Sequence, residues 1–262
     1  LEFALVSTEV SCIRGKQILP FRILGGTDAE VDKFPYMVSM RLSEGNKHTC
    51  GGSILNSRTI LTAAHCVYDV VVGSIYLNSG GTEYQISKIT IYPDYNNDTV
   101  ANDIALLITS EAITTSISVG FISLPSSTSI TGAGWPGKIP NTLQKITLST
   151  ISAEDCKNKW PSITQPIFDT NISTLNKAGE GVCKADSGSP LVEGNVLVGT
   201  VSRGVPCARG HPDAFVRISS YVAWIKSNSH LNIVDETFFV RLWVCRRTIN
   251  DVCFMCERPL RK

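Results

Sequence analysis

The feature that most limits what this chain can fold into is its rhythm of short apolar or alternating runs, separated by clusters rich in Gly, Pro, Asn, Asp and Ser. From Ile23 to about Val201 the runs read YMVSMRL, SILNSRTILTAA, YQISKITI, IALLI, LQKITLSTI and VLVGTVS. Many short strands at such spacing predict an all-β barrel or sandwich. Only SSYVAWIKSN, Ser219 to Asn228, reads as a helix: Tyr221, Trp224 and Ile225 fall on one face, with Ser219 or Ser220 as N-cap. No internal repeat of solenoid type is present. At 262 residues, one globular unit with extensions is the simplest division.

Charge narrows the partners. With 24 basic and 23 acidic residues the chain has no electrostatic footprint, so binding to nucleic acid or an anionic membrane is not suggested. Nine cysteines at scattered spacings fit an oxidising, secreted setting, and the sequons at Asn97 and Asn171 agree with it weakly. The opening LEFALVSTEVSC reads either as the tail of a signal peptide or as a disordered leader. No stretch approaches about 18 uninterrupted apolar residues, so a spanning helix is not expected. Beyond Asn228 the composition shifts to an arginine-rich segment with three cysteines. Its CFMC, Cys253 to Cys256, is a lone CxxC without a second pair or a histidine at zinc spacing, so a poorly ordered or loosely packed tail is the plainer expectation.

Three motifs carry chemistry. TAAHC sets His65 beside Cys66 after an apolar run, NDIALL sets Asp103 at the mouth of another, and CKADSGSP sets Ser187 directly after Asp186. Singly, each residue has a structural reading: a core histidine, a strand-capping aspartate, a loop serine. Together, in the order His, Asp, Ser and with RILGG near the start, they resemble the chymotrypsin-type serine proteases over about Ile23 to Asn228. The resemblance implies two packed six-stranded antiparallel Greek-key barrels with a short C-terminal helix. It divides the chain into a leader remnant and activation propeptide (1–22), a serine protease domain (23–228) and a C-terminal extension (229–262).

The roles follow from that resemblance and from the chemistry of amide cleavage. A neutral hydroxyl is a poor nucleophile and needs a base with a pKa near the working pH. Ser187 is then the nucleophile, His65 the base and Asp103 the buried acid that fixes the imidazole's tautomer, with Ser202 of VSRG as a second partner of that acid. The N–H groups of Ala185 and Ser187 form the oxyanion hole. Cleavage between Arg22 and Ile23 frees an α-ammonium that pairs with Asp186, so the chain as written is a zymogen. An amine and a carboxylate are each costly to bury alone and tolerable together. The expected partners are protein or peptide substrates, an activating protease and protein protease inhibitors, and the unit is a monomer. No metal or organic cofactor is called for.

Several residues depart from the family pattern. Ala185 and Ser189 replace two glycines around the nucleophile. If the backbone at Ala185 requires positive φ, the strain is about 1–2 kcal/mol, and a flipped peptide loses a donor worth roughly a hundredfold to a thousandfold in rate. By resemblance Cys50 pairs with Cys66 and Cys183 with Cys207. The usual partner of Cys156 is here Ser173, leaving Cys156 unpaired or bonded to Cys12 or a tail cysteine and the second barrel less stable. The stretch Ser126 to Lys138 is short for the family, and Pro136 follows Trp135 where a glycine is usual. In the substrate pocket, the base residue six positions before the nucleophile is Gly181 and the wall residue is Gly204, which implies a chymotrypsin-like preference for Phe, Tyr or Leu. Asp213, where many relatives have glycine, opens the alternative of mixed apolar and basic specificity. Arg203 replaces an uncharged residue; either its charge favours acidic residues upstream of the cut, or the side chain is solvated. The narrower likeness is to digestive chymotrypsins of insects. The competing classes are a homologue that binds without cutting and an aberrant relative with a fortuitous tail.

Overall fold

The structure is a computed structural model that describes residues 24–42, 47–67, 69–72, 80–125, 132–134, 143–161, 165–205 and 207–229. The expectations for the leader, Arg22, Ile23, Trp135, Pro136, Cys12 and the tail beyond Ser229 lie outside the described residues. The described residues belong to one compact unit, Leu1–Leu231.

After the short β1 (Thr27–Asp28), one sheet joins β2 (Met37–Leu42), β3 (Lys47–Asn56), β4 (Thr59–Thr62), β5 (Asp69–Val72), β6 (Thr82–Tyr84), β7 (Ile86–Ile91) and β8 (Ala105–Thr109). Its order is β6-β5-β2-β3-β4-β8-β7, and every pairing is antiparallel. Because β6 and β7 are separated only by Gln85, they act as one bent strand whose two halves pair with β5 and β8. The sheet therefore closes on itself as a barrel of six strands, with β5 returning beside β2 in Greek-key order.

The second half repeats the device. A five-stranded sheet takes β11 (Thr150–Ile151), β12 (Asn171–Thr174), β13 (Pro190–Glu193), β14 (Val196–Gly204) and β15 (Asp213–Arg217) in the order β11-β12-β15-β14-β13. A smaller sheet orders β1-β10-β9, from β9 (Gly132–Gly134) and β10 (Gln144–Leu148). Only Ser149 separates β10 from β11, and β9 lies against β13, so six strands again enclose a core. The expected two-barrel, all-β fold is what the chain forms.

Strand periodicity explains how two cores share residues. Side chains alternate across a strand, so along Ile104–Leu107 the residues Ile104 and Leu106 pack between the barrels with Leu61, Leu197, Tyr221 and Ile225, while Leu107 faces the first barrel's interior with Ile54, Ile60 and Met40. A strand covered on both faces needs the unbroken apolar run IALLI. The second interior gathers Leu148, Ile172, Leu191, Val201 and Phe215. Asp103, at the start of the doubly covered strand, is thereby carried into the seam.

The C-terminal helix α2 runs Val222–Asn228 and follows a 3-10 turn, Ile218–Ser220. Tyr221 and Ile225 are buried and Trp224 half-buried, as the periodicity requires. The N-cap is not Ser219 or Ser220: the 3-10 turn absorbs both, and Tyr221 takes the position without a side-chain cap bond. An earlier helix, α1 (Ala153–Lys159), is also present although only the last one was expected. Ser152 caps it, its Oγ accepting from the N–H of Asp155 at 2.9 Å. Its signal is the Ser-x-x-Asp spacing before a polar turn.

Candidate functional site

The seam between the barrels holds the three residues that the motifs singled out. Asp103 is almost completely buried and accepts three hydrogen bonds: from His65 Nδ1 at 2.8 Å, from the His65 backbone N–H at 3.1 Å and from Ser202 Oγ at 2.6 Å. A carboxylate can be buried only when its lone pairs are met, and here three donors meet them. Because Nδ1 must donate to the carboxylate, the neutral ring leaves Nε2 as its basic atom. His65 itself is exposed on one edge.

The acid's loop is held by its neighbours. Val100 and Asn102 both adopt left-handed backbone, with φ of 54° at each, a conformation that a β-branched residue rarely takes. Asn102 is tied by its side-chain amide N–H to Asp94 O at 2.9 Å, and its side-chain carbonyl accepts from Tyr221 Oη at 2.7 Å, so the residue just before α2 reaches back to brace the loop.

Ser187 arrives from the second barrel and is fastened to both sides of the seam. Its carbonyl accepts from Gly51 N–H at 2.8 Å, and Gly51 follows Cys50, which is bridged to Cys66 beside His65. The next residues grip β14: Gly188 N–H donates to Val201 O at 2.7 Å and Val201 N–H to Ser189 O at 2.9 Å, one residue before Ser202. Gly188 has φ of 80°, and a β-carbon there would run into Gly51 O and Thr62 Oγ1, so only glycine fits. Among the described residues the Ser187 hydroxyl has no hydrogen-bond partner; the His65–Asp103–Ser202 part of the constellation is formed and the His65–Ser187 bond is not. Such bonds commonly tighten only with substrate in place.

Ala185 has φ of 68° and so does sit in the left-handed region. Among the described residues neither its N–H nor that of Ser187 has a partner, so both donors are available. The carbonyl of Ala185 is held by His48 Nε2 at 3.0 Å, with Ser39 Oγ at 2.8 Å from the ring's other nitrogen and Arg41 Nε donating to Ser39 at 3.2 Å. Facing a carbonyl, Nε2 must carry the proton, so Nδ1 accepts from Ser39. Sequence reasoning missed His48, whose only signal is its place two residues before Cys50 in KHTCGG.

Asp186 is buried and its Oδ2 accepts from Cys183 N–H at 2.8 Å. Cys183 is bridged to Cys207, and both expected disulfides are present. Leu24 docks against Gly181 through reciprocal backbone bonds of 2.9 and 3.2 Å. Cys156 is free and buried, and the Ser173 hydroxyl hydrogen-bonds to its thiol.

Asp213 lies in the segment expected to line the substrate pocket. It is buried, accepts from Val182 N–H at 2.8 Å, and lies against both Gly181 and Gly204: a β-carbon at Gly181 would sit 2.6 Å from one carboxyl oxygen and at Gly204 2.6 Å from the other. Burial pushes its pKa up to about 7, against the opposing pull of the Val182 N–H. Arg203 is half-buried, its guanidinium drawn inward by Val100 O, Pro166 O, Asn171 Oδ1 and Ser202 Oγ.

Comparison with known proteins agrees with this geometry. The model of the family described as Trypsin matches residues 23–225. The chain is 41% identical over 224 residues to Chymotrypsin-2 of Vespa crabro, covering 79% of this chain and 99% of the relative. It is 33% identical over 255 residues to Trypsin delta of Drosophila melanogaster, covering 87% and 100% respectively, and 31% identical over 254 residues to Trypsin, alkaline A, of Manduca sexta, covering 87% and 99%. With two barrels, two disulfides and a Ser, His and Asp constellation at the seam, this chain belongs to the trypsin family of serine proteases.

Proposed function

We propose that the chain is the zymogen of a secreted serine endopeptidase that cleaves peptide bonds through an acyl-enzyme. Ser187 Oγ attacks the scissile carbonyl while His65 Nε2 takes its proton. The carbonyl oxygen becomes an oxyanion received by the N–H groups of Ala185 and Ser187. Collapse breaks the C–N bond, and His65 returns the proton to the leaving amine. Water, deprotonated by the same imidazole, then hydrolyses the ester. The observation that carries this reading is the threefold anchoring of Asp103, which leaves Nε2 as the basic atom of the His65 ring.

Activation is cleavage after Arg22. The docking of Leu24 on Gly181 supports it, because it ties the second residue after the cut to the segment that leads to buried Asp186. The two disulfides suit an extracellular setting; the partners are protein substrates, an activating protease and protein inhibitors, met by a monomer.

For the residue on the acyl side of the cut (P1), the pocket glycines Gly181 and Gly204 support bulky apolar side chains. A second reading is favoured by Asp213. As a neutral acid below pH about 7 it leaves the pocket apolar, and as a carboxylate above it the pocket accepts Lys or Arg. The test is turnover of Phe and Arg peptide amides before and after cleavage at Arg22, across pH 6 to 8. Activity should rise at least about a hundredfold on cleavage; equal turnover in both forms rejects the zymogen, and none in either supports a binding protein limited by Ala185. An Arg-to-Phe ratio that climbs through pH 7 supports the mixed pocket, and a flat one rejects it.

A further inference from the structure

Two stretches of the chain have the Asn-X-Ser or Asn-X-Thr pattern with X other than proline: Asn97-Asp98-Thr99 and Asn171-Ile172-Ser173. In a secreted protein this pattern is an acceptor for N-linked sugar, which is bulky, hydrophilic and confined to the surface. The sugar is joined at Nδ2, so in the folded chain that nitrogen must face solvent and carry no bond that the fold needs. The two asparagines differ on this point.

Asn171 is sealed in. It lies on β12, opposite Val216 of β15, and is buried. Its Nδ2 donates to Phe215 O at 3.2 Å, and its Oδ1 accepts from the Phe168 N–H and from Arg203 Nη2, each at 3.0 Å. Ser173, the hydroxyl residue of the same pattern, is buried against the Cys156 thiol. A sugar on Asn171 would displace a buried hydrogen bond and drive a polar group into packed strands, a cost that nothing nearby offsets. A chain modified there does not reach this fold.

Asn97 is presented outward. It sits between β7 and β8, in a turn closed by the bridge of Asn96 with Ala101. Asn96 Oδ1 accepts from the N–H groups of Asp98 and Thr99 at 3.0 and 2.9 Å and from Thr99 Oγ1 at 3.0 Å. The turn is thus fixed by the neighbouring side chain, without use of the Asn97 amide nitrogen. Asn97 is exposed; its Oδ1 accepts from Tyr95 Oη at 3.1 Å, and among the described residues Nδ2 has no partner. The same loop leads to Asp103, close enough that the Tyr95 phenol is pushed up by burial and then by the Asp103 carboxylate.

Resting on the reading of the chain as secreted, we propose that Asn97 is N-glycosylated and that Asn171 stays bare. The donor is an oligosaccharide linked through pyrophosphate to a lipid. Nδ2 bonds to C1 of the first sugar, the bond from C1 to the pyrophosphate oxygen breaks with its electron pair leaving on that oxygen, and the amide gives up one proton. The oligosaccharide then stands on the loop that carries Asp103.

The experiment expresses the full chain behind a secretion signal in mammalian cells and treats the released protein with a peptide N-glycosidase in heavy-oxygen water, which turns a sugar-bearing asparagine into a mass-labelled aspartate. The label is expected at position 97 and not at position 171, with a downward gel shift on deglycosylation. That shift should be lost in Asn97→Gln and Thr99→Ala and kept in Thr99→Ser. It should also be kept in Ser173→Ala, which abolishes the second acceptor pattern and leaves Asn171 in place. A released chain that is bare at Asn97, or labelled at Asn171, overturns the proposal, as does a shift that survives in Asn97→Gln. If no chain reaches the medium with Cys50 bridged to Cys66 and Cys183 to Cys207, the secreted reading fails and this site falls with it.

Discussion

The loop that carries the acid and the loop that carries the nucleophile solve the same problem with different margins. Both force non-glycine residues into left-handed backbone, at Val100 and Asn102 in one and at Ala185 in the other. The acid's loop is braced by Asp94, by Tyr221 from the C-terminal helix and by Arg203 from the opposite barrel, and its carboxylate is met by three donors. The second barrel, which carries the nucleophile, keeps uncompensated costs: a strained alanine, a cysteine without its bridge and a buried acid with one N–H as its hydrogen-bond donor. Buried hydroxyls without partners occur in both halves, at Ser53 and Thr90 in the first and at Thr174 and Thr200 in the second. The base half is over-determined, and the limits on stability and rate lie in the other half.

The largest effect tests the well-braced side. Asp103→Asn should leave the fold intact and lower kcat by about 10^4-fold, because the amide stabilises the wrong imidazole tautomer; a loss below about tenfold in kcat would mean that Asp103 does not orient His65. Next comes the buried acid of the second barrel. Since the Asp213 pKa is raised, from 3.8 to about 7, the folded state holds a proton that the unfolded chain releases. Its contribution to stability is fully present below about pH 4 and is lost as pH rises through 7, a total on the order of 4 kcal/mol. Denaturant melts of Asp213→Asn should therefore gain on the natural chain as pH climbs from 4 to 7, and parallel curves would refute the shifted acid.

Restoring the bridge is third. Ser173→Cys, facing the free thiol of Cys156, should add about 2–4 kcal/mol under oxidising conditions and lose it on reduction. No gain, with both thiols still titratable, would show that the site cannot close. The smallest effect is Ala185→Gly, which removes the left-handed strain for about 1 kcal/mol of stability and raises kcat/KM. A neutral or destabilised variant would place the second half's weakness elsewhere.

The fold class was legible because each of the six apolar runs falls on one or two strands, and IALLI announced a strand covered on both faces, while β1, β5, β9, β12, β13 and β15 lie outside those runs. The triad motifs were legible because each keeps its local neighbours: the bridge partner beside His65, the apolar strand after Asp103, the acid before Ser187. What the sequence hid is tertiary. His48 acts through a carbonyl 137 positions away, Arg203 is drawn inward by acceptors from three segments, and Ser219 and Ser220 lose the cap position to a 3-10 turn that no local pattern announces. The helix at Ala153–Lys159 was within reach, since Ser152 and Asp155 form a capping pair, but its polar faces and short length gave periodicity nothing to register.

The central claim is that the base of one barrel activates the serine of the other. It is tested most directly by the rate at which a fluorophosphonate labels the chain cleaved at Arg22, compared with the same chain carrying His65→Ala. The account predicts stoichiometric labelling at Ser187 that slows by at least about a thousandfold when the imidazole is removed. Labelling at an unchanged rate without His65, or at a residue other than Ser187, would contradict it.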